Sequence, residues 1–327
     1  MRIVFMGTPA FAVPTLQHLF KTEFSVVGVV CQPDRPSGRG RKVQMGPVKA
    51  LALSKNIPVM QPEKMKDPKF LETLRAWEPD VVVVAAFGRI LPKTILDLPP
   101  KGCLNVHGSL LPKFRGAAPI QWAVIDGEAE TGITIMLMDE GMDTGAILQQ
   151  EVIPIGQDET SGELASRMAH VGGALLVRTL RGWVAGTMIP LPQDDSAATL
   201  APILTKEDGL MSWGQSARCL ANRIRGLSPW PGSYSFLEGA RWGIWKVQIE
   251  DQESGILHTT HDAPRAPGTI TAITKQSIRV QTGQGSLHLL EIQPENKKRM
   301  HVSDYLAGHR VTIGMTFSMG KQDDDAV

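Results

Sequence analysis

The amino-acid sequence predicts an α/β protein: a Rossmann-like, mostly parallel sheet followed by a small antiparallel β-barrel of the OB type. Over the first part of the chain, short apolar runs alternate with helical or loop stretches, which is typical of a parallel sheet covered by helices. Later in the chain, several short strands follow one another at hairpin spacing. A proline-rich polar stretch separates the two patterns. We therefore expect a first domain at 1–188, a linker at 189–205 and a second domain at 206–327.

The first domain is expected to begin with a buried strand at 2–6, and Gly7-Thr8-Pro9 then leads into a helix at 10–21. Further buried strands are predicted at 26–30, 57–60, 81–86, 102–106, 133–138 and 148–155, with helices at 117–126 and 159–183. A dinucleotide site is the first alternative for such a fold. The turn after the first strand lacks the second and third glycines of the G-x-G-x-x-G fingerprint, which argues against NAD or FAD.

The second domain is expected to open with a helix at 215–227. Strands are predicted at 233–237, 242–249, 268–273, 277–282, 286–292 and 311–317. Trp242 and Trp245 fall on opposite faces of one strand, so at most one of them belongs to the core. Without the acids of Asp323–Asp325, the domain is slightly basic, which weakly favours an RNA-facing module.

Composition excludes several classes of protein. At 327 residues the chain is long enough for two domains, and its net charge of +1 implies no global electrostatic partner. The three cysteines lack C-x-x-C spacing, so we expect neither a disulfide framework nor a metal site, and a cytoplasmic location fits. Proline and glycine interrupt any signal-peptide core near the N-terminus, and the longest apolar run, Val81–Phe87, is too short to cross a bilayer. We expect a monomer with no membrane partner.

The strand at 102–106 and the loop after it are predicted to hold the chemistry. Asn105 and His107 lie two residues apart, so both project to one side of an extended strand. An amide beside an imidazole can polarise a carbonyl group and stabilise the oxyanion that forms on attack. A carboxylate from the downstream loop Asp139–Gly145 would orient the imidazole. The alternative is a hydrogen-bonded structural histidine with solvated turn acids, and these residues alone leave it open.

One long motif in the chain resembles the folate-dependent formyltransferases. It reads Asn105-x-His107-x-Ser109-Leu-Leu-Pro112-x-x-Arg115-Gly116-x-Ala118-Pro119-Ile120, and Asp143 follows in a D-E-G-x-D-T-G loop. Segments Gly226–Pro231, Gly268–Ile270 and Lys297–Met300 are similar to the C-terminal domain of the members that act on methionyl-tRNA. Formyltransferases that act on small amines share the catalytic residues but lack that domain.

The resemblance implies the formyltransferase fold and a reaction. It implies transfer of formyl from 10-formyltetrahydrofolate to the amino group of methionyl initiator tRNA, with Asn105, His107 and Asp143 as catalytic residues and no metal. The residues expected at the folate are Phe87, Gly88, Arg89, Ile90, Leu91, Ser109, Leu110, Leu111, Pro112, Asp139 and Gly141. Arg115 is expected either to contact substrate or to form a structural salt bridge.

The stretch from Gln32 to Lys42 holds four cations and one anion, and its prolines and glycines argue against a regular element. In the resembled family a basic loop at this position enters the acceptor end of the tRNA. The resemblance therefore implies tRNA contact by Arg35, Arg39, Arg41 and Lys42, whereas an isolated basic loop is more often a solvated insertion.

Two further functions remain as alternatives. The first domain could act on a sugar-nucleotide amine or hydrolyse formyl-folate, but the basic stretch and the barrel argue against both. The chain could also be an RNA-binding protein with an inert first domain. The unsubstituted Asn105, His107 and Asp143 argue against that alternative.

Overall fold

The computed structural model describes residues 1–37, 42–250 and 265–320, with backbone alone at 36, 37, 42 and 43. Contacts divide the chain into two compact units. The first unit comprises Met1–Ile120, Ala129–Ile155 and Glu163–Ile203. The second comprises Gln121–Glu128, Gly156–Gly162 and Leu204–Val327. This division places residues 189–203 of the predicted linker 189–205 with the first unit and 204–205 with the second.

The elements up to residue 203 alternate between strands and helices. The strands are β1 (Arg2–Gly7), β2 (Ser25–Val30), β3 (Pro36–Ser37), β4 (Lys42–Val43), β5 (Val59–Met60), β6 (Val81–Ala85), β7 (Cys103–His107), β8 (Arg115–Gly116), β9 (Glu130–Leu137), β10 (Ile147–Pro154) and β11 (Leu200–Ala201). The helices are α1 (Ala12–Leu19), α2 (Pro47–Ser54), α3 (Pro68–Ala76), α4 (Lys93–Leu96), α5 (Pro119–Ile125) and α6 (Ser161–Val184).

Seven of these strands form one sheet in the order β10-β9-β7-β6-β1-β2-β5. The five strands from β7 to β5 pair in parallel, and β9 and β10 join antiparallel at one edge. All five residues of β6 are buried, as expected for an apolar, β-branched strand at the centre of such a sheet. The chain leaves the β1–β2 side of the sheet and returns on the β6–β7 side. The carboxyl ends of these strands therefore meet at a topological switch point.

The second unit is built on a curled antiparallel sheet. Its elements are α7 (Ala217–Gly226), β12 (Ser233–Leu237), β13 (Ala240–Ile249), β14 (Ile270–Ile273), β15 (Ile278–Gln281), β16 (Ser286–Pro294), β17 (Met300–His301), α8 (Val302–Leu306) and β18 (Phe317–Ser318). The order is β14-β15-β16-β13-β12-β18, with β17 beside β16. A bridge between Thr269 and Thr316 joins the two ends of this order, which closes the sheet into a small barrel.

The core of the barrel contains one of the two tryptophans of strand β13. Trp242 is 3% exposed and packs edge-on against Tyr305 and Phe317, whereas Trp245 is half-buried under the guanidinium of Arg299. Only one of the two strand tryptophans therefore lies in the core, as predicted. Ser216 caps the helix α7 by accepting from the amide of Cys219. The predicted fold class, a mostly parallel α/β sheet followed by a small antiparallel barrel, is confirmed.

Two local predictions are wrong. The expected strand at 311–317 is reduced to Phe317–Ser318, because Gly314 has φ +97° and Ile313 is 55% exposed, so the apolar residues there do not line the core. The stretch from Gln32 to Lys42 is not wholly irregular, since β3 and β4 pair as a short antiparallel ladder. Pro36 is tolerated there because each strand of this ladder pairs on one side only.

Candidate active site

Strand β7 carries the first two predicted catalytic residues. Asn105 pairs with Val84 of β6 and Met136 of β9, and His107 pairs with Thr134 of β9. The alternation of the strand places both side chains on one face, as the sequence predicts. His107 is only 5% exposed, while Asn105 is half-buried. The fixed strand thus presents an amide and an imidazole side by side.

Asp143 reaches these two side chains from the loop between β9 and β10. Its Oδ1 lies 3.5 Å from His107 Nδ1 and 3.4 Å from Asn105 Nδ2. Its Oδ2 accepts a hydrogen bond of 2.9 Å from the backbone amide of Gly116. The three residues that the sequence nominates as catalytic therefore lie together in the first unit.

The imidazole of His107 faces oxygen on both sides. Nε2 lies 3.1 Å from the carbonyl oxygen of Phe114, and Nδ1 faces the Asp143 carboxylate. Each ring nitrogen therefore has an oxygen beside it that can accept a hydrogen bond. Asn105 Nδ2 donates to Asp143 Oδ1, and His107 Nδ1 lies 3.5 Å from the same oxygen. An amide and an imidazole grouped in this way are side chains that can stabilise an oxyanion.

The loop after β7 is fixed by buried polar contacts. Ser109 Oγ donates to the carbonyl of Lys113 at 2.6 Å, and Thr134 Oγ1 donates to the carbonyl of Ser109 at 2.7 Å. The amide of Leu111 donates to Thr134 Oγ1 at 3.1 Å. Ser109 and Leu111, both predicted at the folate, use buried groups to hold the loop, and Leu110 and Pro112 are half-buried.

Residues 193–201 complete the surroundings of Asp143. Strand β11 pairs in parallel with β8, and Thr199 Oγ1 accepts from the amide of Phe114 at 2.8 Å. Gly116 has φ +130°, and a Cβ there would lie 2.5 Å from the carbonyl oxygen of Ala201. Only glycine fits this close approach, and its amide is the one that binds Asp143.

Sequence reasoning missed Gln193. Its Nε2 donates to the carbonyl oxygens of Asp143 and Gly145 at 2.8 and 2.7 Å. Arg115 donates to Gln193 Oε1 from Nε and Nη2 and forms a salt bridge with Asp195. Arg115 therefore makes the structural salt bridge that the sequence left open. No signal in the sequence marks Gln193, because it stands in an irregular stretch.

The predicted folate segment Phe87–Leu91 follows β6 at the carboxyl edge of the sheet. Phe87 and Leu91 are buried, whereas Gly88 is exposed with φ +71° and Ile90 is 73% exposed. Gln32 donates to the carbonyls of Phe87 and Gly88, and the Arg89 guanidinium donates to Gln32 and to the carbonyl of Glu63. The side chain of Arg89 is thus engaged within the unit, and the role of this segment at the folate stays a prediction.

The acidic loop is organised by Asp139. Its Oδ1 accepts from the amide of Gly141 at 3.0 Å and from Thr144 Oγ1 at 2.7 Å. Asp139 and Gly141 are exposed. Asp139 therefore shapes the turn that leads to Asp143, and its own predicted role at the folate stays a prediction.

The basic stretch is described only in part. Arg35 is exposed, Lys42 is described as backbone in β4, and Arg39 and Arg41 lie outside the described residues. Near its base, a cavity of about 400 Å³ opens at the ends of β1, β2 and β6. Asp34 there binds Lys49 and Gln61, and the hydrogen bond from Lys49 holds the pKa of the Asp34 carboxyl below its usual range.

The thiol beside the site is not a nucleophile. Burial raises the pKa of Cys103, two residues before Asn105, to about 12, so the thiolate is scarce at neutral pH.

Within residues 1–37, 42–250 and 265–320, no helix is long and apolar enough to span a membrane. Over the same ranges, no three His, Cys, Asp or Glu side chains group as they would around a metal ion.

Two family models match the chain. Residues 1–180 match "Formyl transferase", and residues 203–310 match "Formyl transferase, C-terminal domain". The protein named Methionyl-tRNA formyltransferase of Syntrophus aciditrophicus is 49% identical over 312 residues, which cover 95% of this chain and 97% of that protein. The protein of the same name from Citrifermentans bemidjiense is 46% identical over 323 residues, covering 99% of this chain and 98% of its own.

Solved structures with lower identity share the fold. An N-formyltransferase from Helicobacter canadensis, in complex with folinic acid and dTDP-3-aminofucose, is 17% identical with a TM-score of 0.65 and covers 88% of this chain and 98% of its own. HypX from Aquifex aeolicus in complex with tetrahydrofolic acid is 15% identical with a TM-score of 0.59. The match covers 96% of this chain but spans only 50% of HypX.

Proposed function

The chain belongs to the formyltransferase family, and we propose that it transfers the formyl group of 10-formyltetrahydrofolate to the α-amino group of methionyl initiator tRNA. The observation that carries this proposal is the similarity to proteins named methionyl-tRNA formyltransferase along nearly the whole chain, including the second unit. The grouping of Asn105, His107 and Asp143 supports the proposal.

We assign the oxyanion to Asn105 and His107. The amine attacks the formyl carbon, and the electron pair of the carbonyl bond moves to the oxygen. The amide of Asn105 has two hydrogens, so it would keep one on Asp143 Oδ1, 3.4 Å away, and donate the other to that oxygen. His107 would stabilise the same charge with a ring N–H that leaves its present oxygen neighbour when the reacting groups bind.

Asp143 orients His107 and helps to manage the proton. The attacking nitrogen becomes acidic when its new bond forms, and its proton must leave before the carbon–nitrogen bond to the folate breaks. The Asp143 carboxylate lies at the imidazole, and its Oδ2 is fixed by Gly116, so it can hold or relay that proton. The electron pair of the broken bond returns to the folate nitrogen, which takes up a proton.

The residues around the site fit a flat donor. Gly88 offers an exposed backbone with no side chain, and the acidic loop at 139–145 contains Asp143. We propose that these segments and the loop Ser109–Pro112 hold the folate. We further propose that the tRNA substrate is an initiator tRNA, that the protein is a monomer and that it acts in the cytoplasm. We also propose 1–188 as the catalytic domain, 189–205 as a linker and 206–327 as the tRNA-binding domain.

A folate analogue should protect backbone amides in Phe87–Leu91 and in Asp139–Gly145 from hydrogen exchange, because both segments would close on the bound ring. NAD is the control and should change neither segment. Exchange measured by mass spectrometry checks both. Protection near Gly7 by NAD, with none by the folate analogue, would instead support a dinucleotide site.

The basic stretch should contribute to tRNA affinity and not to the chemistry. Replacing Arg39, Arg41 and Lys42 together by alanine is expected to raise the KM for methionyl-tRNA while the KM for the folate barely moves. Phosphate contacts release counterions, so tRNA affinity should also depend less on salt. The slope of log affinity against log salt concentration should flatten by about 0.7 for each lost contact to single-stranded RNA.

The control for the basic stretch keeps its charge. Replacing Arg39 and Arg41 by lysine preserves two cations, so the salt slope should stay near that of the wild-type protein. Equal losses for both substrates, or an unchanged slope in the alanine variant, would show that the stretch is only a solvated insertion.

A further inference from the structure

The side-chain amide of Gln193 uses its complete hydrogen-bonding capacity. Nε2 gives its two hydrogens to the carbonyl oxygens of Asp143 and Gly145. Oε1 accepts two hydrogen bonds from Arg115, at 3.0 and 2.8 Å. Donors on one side and acceptors on the other leave a single orientation for the amide that satisfies all four bonds.

Arg115 is itself fixed. It is 8% exposed, it lies in β8, and its Nη2 also donates to Asp195 Oδ1 at 2.7 Å. A nearly buried guanidinium that keeps its charge needs such acceptors, so Arg115 fixes the position of Gln193 Oε1. Arg115 and Gln193 therefore connect strand β8 to the loop that carries Asp143.

Asp143 needs this support because its backbone is strained. It has φ +56°, which non-glycine residues rarely adopt, although aspartate tolerates it better than most. Gly116 fixes the carboxylate and Gln193 fixes the carbonyl group of the same residue. A strained backbone persists only where its surroundings hold it, and such positions cluster in active sites.

We propose that Gln193 is a positioning residue for the reaction: it holds the Asp143 loop so that the carboxylate meets His107, and Arg115 fixes its orientation. This inference rests on the proposed roles of His107 and Asp143. Gln193 touches neither reacting group and acts through Asp143. A shift of about 1 Å in a catalytic group can cost about a hundredfold in rate. Because Gln193 acts through the position of Asp143, loss of its side chain should lower kcat and leave substrate binding unchanged.

Two substitutions separate this role from a purely structural one. Gln193→Glu keeps an acceptor for Arg115 but loses both hydrogens given to the loop. Gln193→Met keeps the volume and loses both sets of bonds. We expect the single-turnover rate at saturating substrates to fall roughly 10- to 100-fold in both. Gln193→Met should lower Tm more than Gln193→Glu, because it removes the one acceptor that takes two hydrogen bonds from Arg115.

The rate is measured by rapid quench and divided by the number of folate sites, which titration calorimetry counts in each preparation. The Kd of the folate analogue should match that of the wild-type protein. Asp194→Asn is the matched control, since Asp194 neighbours Gln193 but its carboxylate accepts from Ser196. Its rate should not change.

The outcomes distinguish this inference from the proposed function. A wild-type rate in Gln193→Glu, with Asp143→Ala inactive, would overturn the positioning role alone. A rate that follows Tm across the two Gln193 variants would also overturn it, since that is the behaviour of a structural residue. An active Asp143→Ala would overturn the proposed catalytic roles whatever the Gln193 variants do.

Discussion

Alanine at Asn105, His107 or Asp143 is expected to lower the turnover of formyl transfer at least about a hundredfold, because the loss of one oxyanion donor in acyl transfer costs about 10²–10³ in rate. In the proposed mechanism Asn105 and His107 supply those donors and Asp143 orients the imidazole, which lies 3.5 Å from its carboxylate. The three act as one unit, so combining two substitutions should cost little more than either alone. Turnover at saturating substrates checks each variant.

Stability should change far less than turnover in these variants. Asn105 and Asp143 are only partly buried, and His107 is the one nearly buried member. His107→Leu fills most of the volume of the ring without a hydrogen-bond donor and is the variant to use if His107→Ala unfolds. His18→Ala is the matched control, because His18 is half-buried and binds the carbonyl of Pro14 away from the site. Wild-type turnover in any of the three site variants would show that the assigned role is wrong.

Gly145→Ala is expected to have the next largest effect. A Cβ on Gly145 would lie 1.8 Å from the carbonyl oxygen of Leu137, so the loop must move away from β9. Its carbonyl would then lose Gln193, and Asp143 would lose its position beside His107. We expect turnover to fall by about a hundredfold and the free energy of unfolding to fall by about 1–3 kcal/mol.

Gly214→Ala is the control for that substitution, because a Cβ there meets no atom within 4 Å. Turnover and thermal melting of both variants are the measurements. If Gly145→Ala kept both turnover and Tm, the contact between the acidic loop and β9 would not be what positions Asp143.

The catalytic strand could be predicted from the sequence because two local signals agree there. An apolar strand gives the alternation that places Asn105 and His107 on one face, and the glycines and proline after it end regular structure. The contact with Asp143 is not local, since 36 or more residues separate it from the pair. It became predictable only through the resemblance to a family whose motif includes that loop.

The role of Gln193 could not be predicted from the sequence. It stands in a stretch without periodicity, where composition indicates a linker and says nothing about what each side chain contacts. Its partners are backbone carbonyls some fifty residues earlier, and backbone groups carry no sequence signature. The strand predicted at 311–317 is too long for a related reason. Apolar residues on both sides of Gly314 resemble a strand in sequence, but they do not line a core, and only Phe317–Ser318 form a strand.

Single-turnover transfer of a radiolabelled formyl group from 10-formyltetrahydrofolate to methionyl initiator tRNA tests the account most directly. Wild-type protein and His107→Leu are compared with both substrates bound, and labelled formyl-methionyl-tRNA is counted against time. We predict product within one turnover for the wild-type protein and a rate at least about a hundredfold lower for the variant. No labelled product from the wild-type protein would contradict the function, and an undiminished rate in the variant would contradict the site.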